Sequence, residues 1–320
     1  MKILIVRLSS LGDVVHNMPM VADILRHHPD AQIDWVVEEA FVDLVALNQG
    51  VANVIPIALR RWKKQCRKSA TRSAACSEIA AFHRRLREQS YDCVFDTQGL
   101  LKSSIVMRMA KLAPGGKRIG LANGTEGCGY EGLSRLFHHE SIAVDRYTHA
   151  VARARRVSAA HLGYVCESAA DFDMASPEIQ RPAWMPAAYA VFFHASARAS
   201  KRWPEDAWIE IGSFVKGLGL QILLPWGNPA EKLAAERLAA AMPNARVLPK
   251  LSMQEAILLA QRAHLVVGID TGLTHIAAAS HRPTVEIYCD SPRWNTECNW
   301  SDNVLNLGDA GSPPSVSEVR

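Results

Sequence analysis

The chain has 320 residues, 48% of them hydrophobic, and carries 36 Lys and Arg against 32 Asp and Glu for a formal charge of +4. This length and apolar content exclude a disordered chain and favour two domains over one, while so mild a charge excess names no anionic partner by itself. Seven widely spaced cysteines without a Cys-x-x-Cys exclude a zinc ribbon or a disulfide frame and predict reduced thiols in a cytoplasmic protein, and the twelve histidines show no zinc-type spacing.

The first apolar run is interrupted by Arg7 and makes a poor signal peptide, and no stretch reaches the ~20 apolar residues of a membrane span. Lys2–Leu8 reads as a strand, Ser9–Asp13 as a turn and Val14–His27 as a helix. That turn holds one glycine where a dinucleotide fingerprint needs three, which argues against a nicotinamide or flavin enzyme. Asp13 stands at the strand's carboxyl end, positioned either as a general base or as an ordinary first-turn cap. Strands follow at Gln32–Val37, Asn53–Ile57 and Tyr91–Asp96, and helices at Ala40–Leu47, Ala75–Gln89 and Leu101–Leu112. This alternation predicts a doubly wound parallel sheet.

Residues 60–72 contain Arg60, Arg61, Lys63, Lys64, Arg67, Lys68 and Arg72 and no acid, so they read as an exposed loop or loose helix anchored by Trp62. A nucleic acid, anionic lipid headgroups, a charged glycan or plain solvent would each satisfy such a run. Asp96–Ser103 repeats the strand, turn and helix of the opening, which aims Gln98 and Lys102 at the cleft of Asp13. Gly115–Gly132 reads as a flexible loop and Tyr147–Leu162 as a helix.

Val165–Pro186 loses periodicity and holds three prolines, marking a linker and domains at 1–166 and 167–320. Its Asp171-Phe172-Asp173 has a metal-binding spacing but lies away from any strand end, so no metal is expected there. Strands then follow at Tyr189–His194, Gln221–Pro225, Arg246–Leu248, Leu265–Ile269 and Thr284–Tyr288, with helices near Pro204–Lys216, Pro229–Ala241 and Met253–Arg262. Lys201 follows the first of these strands and suits a phosphate, and Glu231 opens a helix where it can accept ribose hydroxyls. Asp270-Thr271-Gly272 turns a strand into a helix, so the amides of Thr271–Leu273 suit a diphosphate beside the Asp270 carboxylate. A plain capped turn is the alternative. Tyr288–Arg320 is polar, carries no predicted strand and is open to crossing back onto the first domain.

Taken together, KILIVRLSSLGDVVHNMP, VIPIALRRWKK, YDCVFDTQGLLKS, HAVARAR, LPWGNPAEK and VVGIDTGLTHIAAA resemble the ADP-heptose:lipopolysaccharide heptosyltransferases, glycosyltransferase family 9, in their type I form. The resemblance implies two Rossmann-like domains facing a cleft, the GT-B arrangement. It also implies inverting transfer of heptose from ADP-heptose to the first Kdo of Kdo2-lipid A, by a protein peripheral to the cytoplasmic face of the inner membrane. Asp13 would be the base. Ser196, Lys201 and Thr271, Gly272 and Leu273 would hold the diphosphate, Glu231 the ribose, Leu251 the adenine and Asp270 the heptose. Arg60, Arg61 and Lys64 would bind the acceptor, and no cofactor, metal or nucleic acid is implied. A type II enzyme, another nucleotide-sugar transferase, or a non-catalytic nucleotide or lipid A-binding module are the alternatives.

Overall fold

Parallel strands covered on both faces need continuous apolar sequence, and the Val-, Ile- and Leu-rich runs form just such strands in the structure, a computed structural model that describes every residue except Glu167, Ser168 and Ala197. The chain divides into two compact units, Met1–Asp173 and Met174–Arg320. The boundary expected at 166/167 borders Glu167 and Ser168, outside the described residues.

In the first unit the strands are β1 (Lys2–Val6), β2 (Gln32–Glu38), β3 (Val51–Ile57), β4 (Tyr91–Asp96), β5 (Leu112–Leu121) and β6 (Glu140–Ile142). They form one sheet of order β3-β2-β1-β4-β5-β6, every pair parallel. The helices are α1 (Leu11–Asn17), α2 (Pro19–His27), α3 (Val42–Val45), α4 (Leu59–Cys66), α5 (Ser69–Leu86), α6 (Leu101–Met109) and α7 (Ala150–Leu162). The single helix expected over 14–27 is two, because Pro19 has no N–H to continue the ladder and instead starts a new helix. Of the loop and the helix expected for 60–72, the structure has the helix: the run forms α4 and the start of α5, with Trp62 buried against Phe82 as the anchor. The flexible loop expected from residue 115 is corrected as well. Residues 115–121 belong to β5, whose Ile119 and Leu121 are buried. Gly116 is glycine there because a Cβ would stand 2.5 Å from the Tyr91 carbonyl oxygen on β4. The buried guanidinium of Arg155 in α7 grips both oxygens of Asp23 in α2, which ties the two helices together.

The second unit repeats the topology. Its strands are β7 (Tyr189–Phe193), β8 (Gln221–Leu224), β9 (Ala245–Val247), β10 (Leu265–Ile269), β11 (Thr284–Tyr288) and β12 (Val304–Gly308), in the order β12-β11-β10-β7-β8-β9. The helices are α8 (Glu205–Gly217), α9 (Pro229–Ala241), α10 (Met253–Arg262), α11 (Gly272–Ala279), α12 (Arg293–Thr296) and α13 (Val316–Val319). Residues 288–320 are thus not irregular. β12 pairs with β11, and Val316 and Val319 of α13 join the core around Trp208, so this segment completes the second unit. Its alternating polar residues conceal the strand because β12 is a half-exposed edge. Among the described residues, no helix is long and apolar enough to cross a membrane.

Gly268 in β10 lets α11 approach: a Cβ there would stand 2.2 Å from the Thr274 hydroxyl, itself bonded to the Ile269 carbonyl. Gly268→Ala is expected to destabilise the protein by about 1–3 kcal/mol through overpacking, read as a lower urea midpoint with unchanged slope.

Candidate functional site

Ligands of open parallel sheets bind beyond the carboxyl ends of the strands where the strand order reverses, which is between β1 and β4 in the first unit and between β7 and β10 in the second. Asp13 sits at the first of these points, in the opening turn of α1. The Ser10 amide and hydroxyl both donate to its Oδ2, at 2.9 and 2.7 Å, one arm of a capping box. Arg7, just past β1, is buried and donates to Asp13 Oδ1 and to the Thr97 carbonyl. Burial would raise the Asp13 carboxyl, but Arg7, the Ser10 hydrogen bonds and His16 outweigh it and hold the group well below the usual carboxylate range. Asp13 is therefore a helix-start cap and an ionised carboxylate at the ligand edge at once. Beside it is a cavity of about 10 Å³, room for roughly one water, which Arg7, Asn17, Thr97 and Arg153 also line.

The corner after β4 is built around Asp96. Fully buried, it accepts from the amides of Gln98 and Gly99 and from the hydroxyls of Ser103 and Ser104. This brings two predicted residues to the Asp13 corner: Gln98 accepts from the Leu8 amide at 3.1 Å, and Lys102 Nζ lies 3.4 Å from the Ser9 hydroxyl. Gln98 is buried and committed to backbone, so its amide shapes the corner. Arg60, Arg61 and Lys64 lie along α4. Arg61 is clamped between Glu39 and Glu78, acids that the local sequence lacks, whereas the Arg60 and Lys64 side chains are exposed.

In the second unit Lys201 closes a short 3₁₀ turn, Ala199–Lys201, and its ammonium contacts Asp270 Oδ2. Asp270 also accepts from the Ser291 hydroxyl at 2.5 Å and lies 3.3 Å from His275 Nε2. Burial opposes its charge, but His275 and Lys201 hold the carboxyl well below its ordinary value. Thr271 caps α11, so the amides of Gly272 and Leu273 face outward without carbonyl partners inside the helix. Glu231 Oε2 accepts from the Gly227 amide at 2.7 Å, and Ser196 Oγ accepts from the Arg198 amide at 3.3 Å. Ser196, Glu231, Leu251 and Asp270 follow β7, β8, β9 and β10 respectively, so all the predicted donor residues lie along one edge of one sheet. The linker pair is different. Asp171 uses its carboxylate to accept from the Asp173 amide at 3.0 Å in a local turn.

Sequence reading missed Arg7, Asp96, His275 and Ser291. Only Arg7, a charge inside an apolar strand run, gives a visible signal.

Two units, each a six-stranded parallel sheet of the same strand order, have the fold of the two-domain glycosyltransferases. The family model of glycosyltransferase family 9 (heptosyltransferase) matches residues 79–318. Lipopolysaccharide heptosyltransferase 1 of Salmonella typhimurium is 37% identical over 291 residues, 90% of this chain and 88% of that protein. The solved E. coli heptosyltransferase WaaC with ADP superposes with a TM-score of 0.84 at 32% identity, covering 100% of this chain and 98% of the other. The same enzyme with ADP-2-deoxy-2-fluoro heptose gives 0.79 at 34%, covering 100% and 96%. The chain belongs to glycosyltransferase family 9, the heptosyltransferases.

Asp96→Ala would leave two amides and the Ser104 hydroxyl unpaired in a buried corner, the Ser103 hydroxyl keeping its bond to the Leu100 carbonyl. We expect a loss of about 2–5 kcal/mol of stability and faster amide hydrogen exchange at Gln98 and Gly99, measured by urea unfolding and exchange mass spectrometry.

Proposed function

We propose that this glycosyltransferase moves L-glycero-D-manno-heptose from ADP-heptose to the first Kdo sugar of Kdo2-lipid A, with inversion, at the cytoplasmic face of the inner membrane. The observation that carries the reading is the Lys201–Asp270 pair beside the open start of α11. An ammonium and outward amides stabilise a departing diphosphate, and the buried carboxylate accepts from sugar hydroxyls. Support for the donor comes from the similar solved enzyme, which holds an ADP-heptose analogue.

Inversion takes one displacement. The Kdo hydroxyl oxygen bonds to the heptose anomeric carbon as the bond to ADP breaks, and Asp13 receives the hydroxyl proton. A carboxylate held so strongly acidic does not deprotonate a resting hydroxyl. The proton moves only as the new bond forms and the oxygen becomes acidic, so attack and proton transfer are concerted. Thr271, Gly272 and Leu273, with Lys201 and Ser196, take the diphosphate. Glu231 takes the ribose and Leu251 the adenine face. Arg60 and Lys64, exposed on α4, suit the acceptor's phosphates and carboxylates and the anionic surface around it, with Arg61 held by its acids until the acceptor competes for it. Lys102 completes the acceptor side, with the buried Gln98 shaping the corner behind it.

ADP release is measured with ADP-heptose and Kdo2-lipid A as substrates. Asp13→Asn is expected to lower kcat by about a hundredfold or more. A variant that keeps the wild-type rate overturns the assignment of Asp13 as the base, whereas wild-type protein that binds both substrates and releases no ADP is a binding module.

The Arg7 contact sets the pH dependence. With Asp13 depressed, its carboxylate persists throughout the neutral and mildly acidic range, so kcat/KM shows no acidic limb from it above about pH 5. In Arg7→Met the burial that raises the carboxyl loses its main opponent, and an acidic limb is expected to move up into the range assayed.

A further inference from the structure

His275 of α11, Glu286 of β11 and Cys298, in the segment between α12 and β12, meet beneath the donor corner, all three buried. Their ligand atoms lie within 4.8 Å of one another. His275 Nδ1 stands 3.1 Å from Glu286 Oε1 and 3.6 Å from Cys298 Sγ. Its other nitrogen, Nε2, faces Asp270 at 3.3 Å. Each ring nitrogen of His275 therefore faces a carboxylate, and the Cys298 sulfur lies within reach of Nδ1 as well. Neither Glu286 oxygen completes a well-formed hydrogen bond among the described residues, and nor does the buried Tyr288 hydroxyl two residues along the same face of β11.

We propose that His275 Nδ1, Glu286 and Cys298 Sγ form a structural site for a zinc-type dication. The spacing fits. Zinc bonds of about 2.0 Å to nitrogen or oxygen and 2.3 Å to sulfur, arranged tetrahedrally, put neighbouring ligand atoms about 3.3–3.5 Å apart. Neutral imidazole, carboxylate and thiolate cancel the dication, and the protons on Nδ1 and on the thiol leave to solvent as the metal enters. The Asp270 contact at Nε2 is the arrangement that orients a metal-binding histidine. Cys298 is pre-placed, since the Asn306 side chain accepts from its amide and donates to its carbonyl, each at 3.0 Å. Bound there, the ion fastens α11, β11 and the 298 segment together behind Asp270. The inference stands independently of the transferred sugar and its acceptor.

The test uses the full-length protein, stripped with a chelator, loaded with Co²⁺ alone and dialysed. About one equivalent of tightly retained Co²⁺ is expected, with a thiolate-to-metal charge-transfer band in the near ultraviolet that Zn²⁺ abolishes. Cys298→Ser should remove the band, and Glu286→Gln should keep it while weakening Co²⁺ binding by about tenfold or more. Wild-type protein that retains no Co²⁺ overturns the site, as does a band that survives in Cys298→Ser, which would place the metal on surface thiols. If the serine variant does not fold, unchanged Co²⁺ retention in Glu286→Gln overturns it equally.

Discussion

A carboxylate buried at the end of a strand stays ionised only where opposite charge and hydrogen-bond donors surround it, and Asp270 depends on that condition. Lys201 comes from the turn after β7, His275 from α11 and Ser291 from the segment after β11. Three separate stretches are fixed relative to one carboxylate, so the corner around Asp270 is built without any ligand. Hydrogen bonds made in advance need no reorganisation when charge develops on a leaving group.

The first unit solves the same problem with different parts. Asp13 draws its compensation from Arg7 and from the Ser10 cap, all within a few residues of β1. Asp96, at the adjacent strand end, uses only neutral donors and serves as a scaffold. The contrast is chemical. Where a carboxylate meets guanidinium it is held as an anion, and where it meets amides and hydroxyls it shapes the backbone around it.

How far the sequence could be read follows from this. Strands buried on both faces announce themselves as unbroken apolar runs, so β1, β4, β7, β10 and β11 are legible almost residue for residue. β5 is concealed by its glycines, β6 is only three residues long, and β12 is half exposed, so none shows the pattern of a central strand. The positions of Asp13, Lys201 and Asp270 at strand ends are legible for the same reason as the strands themselves. Their partners are not. Arg61 lies 22 residues from Glu39 and 17 from Glu78, and His275, Glu286 and Cys298 share no short spacing, so only the folded sheet brings them together.

The two hydrogen bonds between Asn306 and the Cys298 backbone carry a consequence for the intervening residues. They join the excursion at both ends like a clasp, so residues 299–305 form a closed hairpin-like ring whose span cannot lengthen or shorten freely. Polar composition in such a ring reflects contact with water and does not measure freedom to move. Insertions within the ring would be absorbed as bulges facing solvent, while a change at Asn306 would open the clasp and loosen the wall behind Asp270.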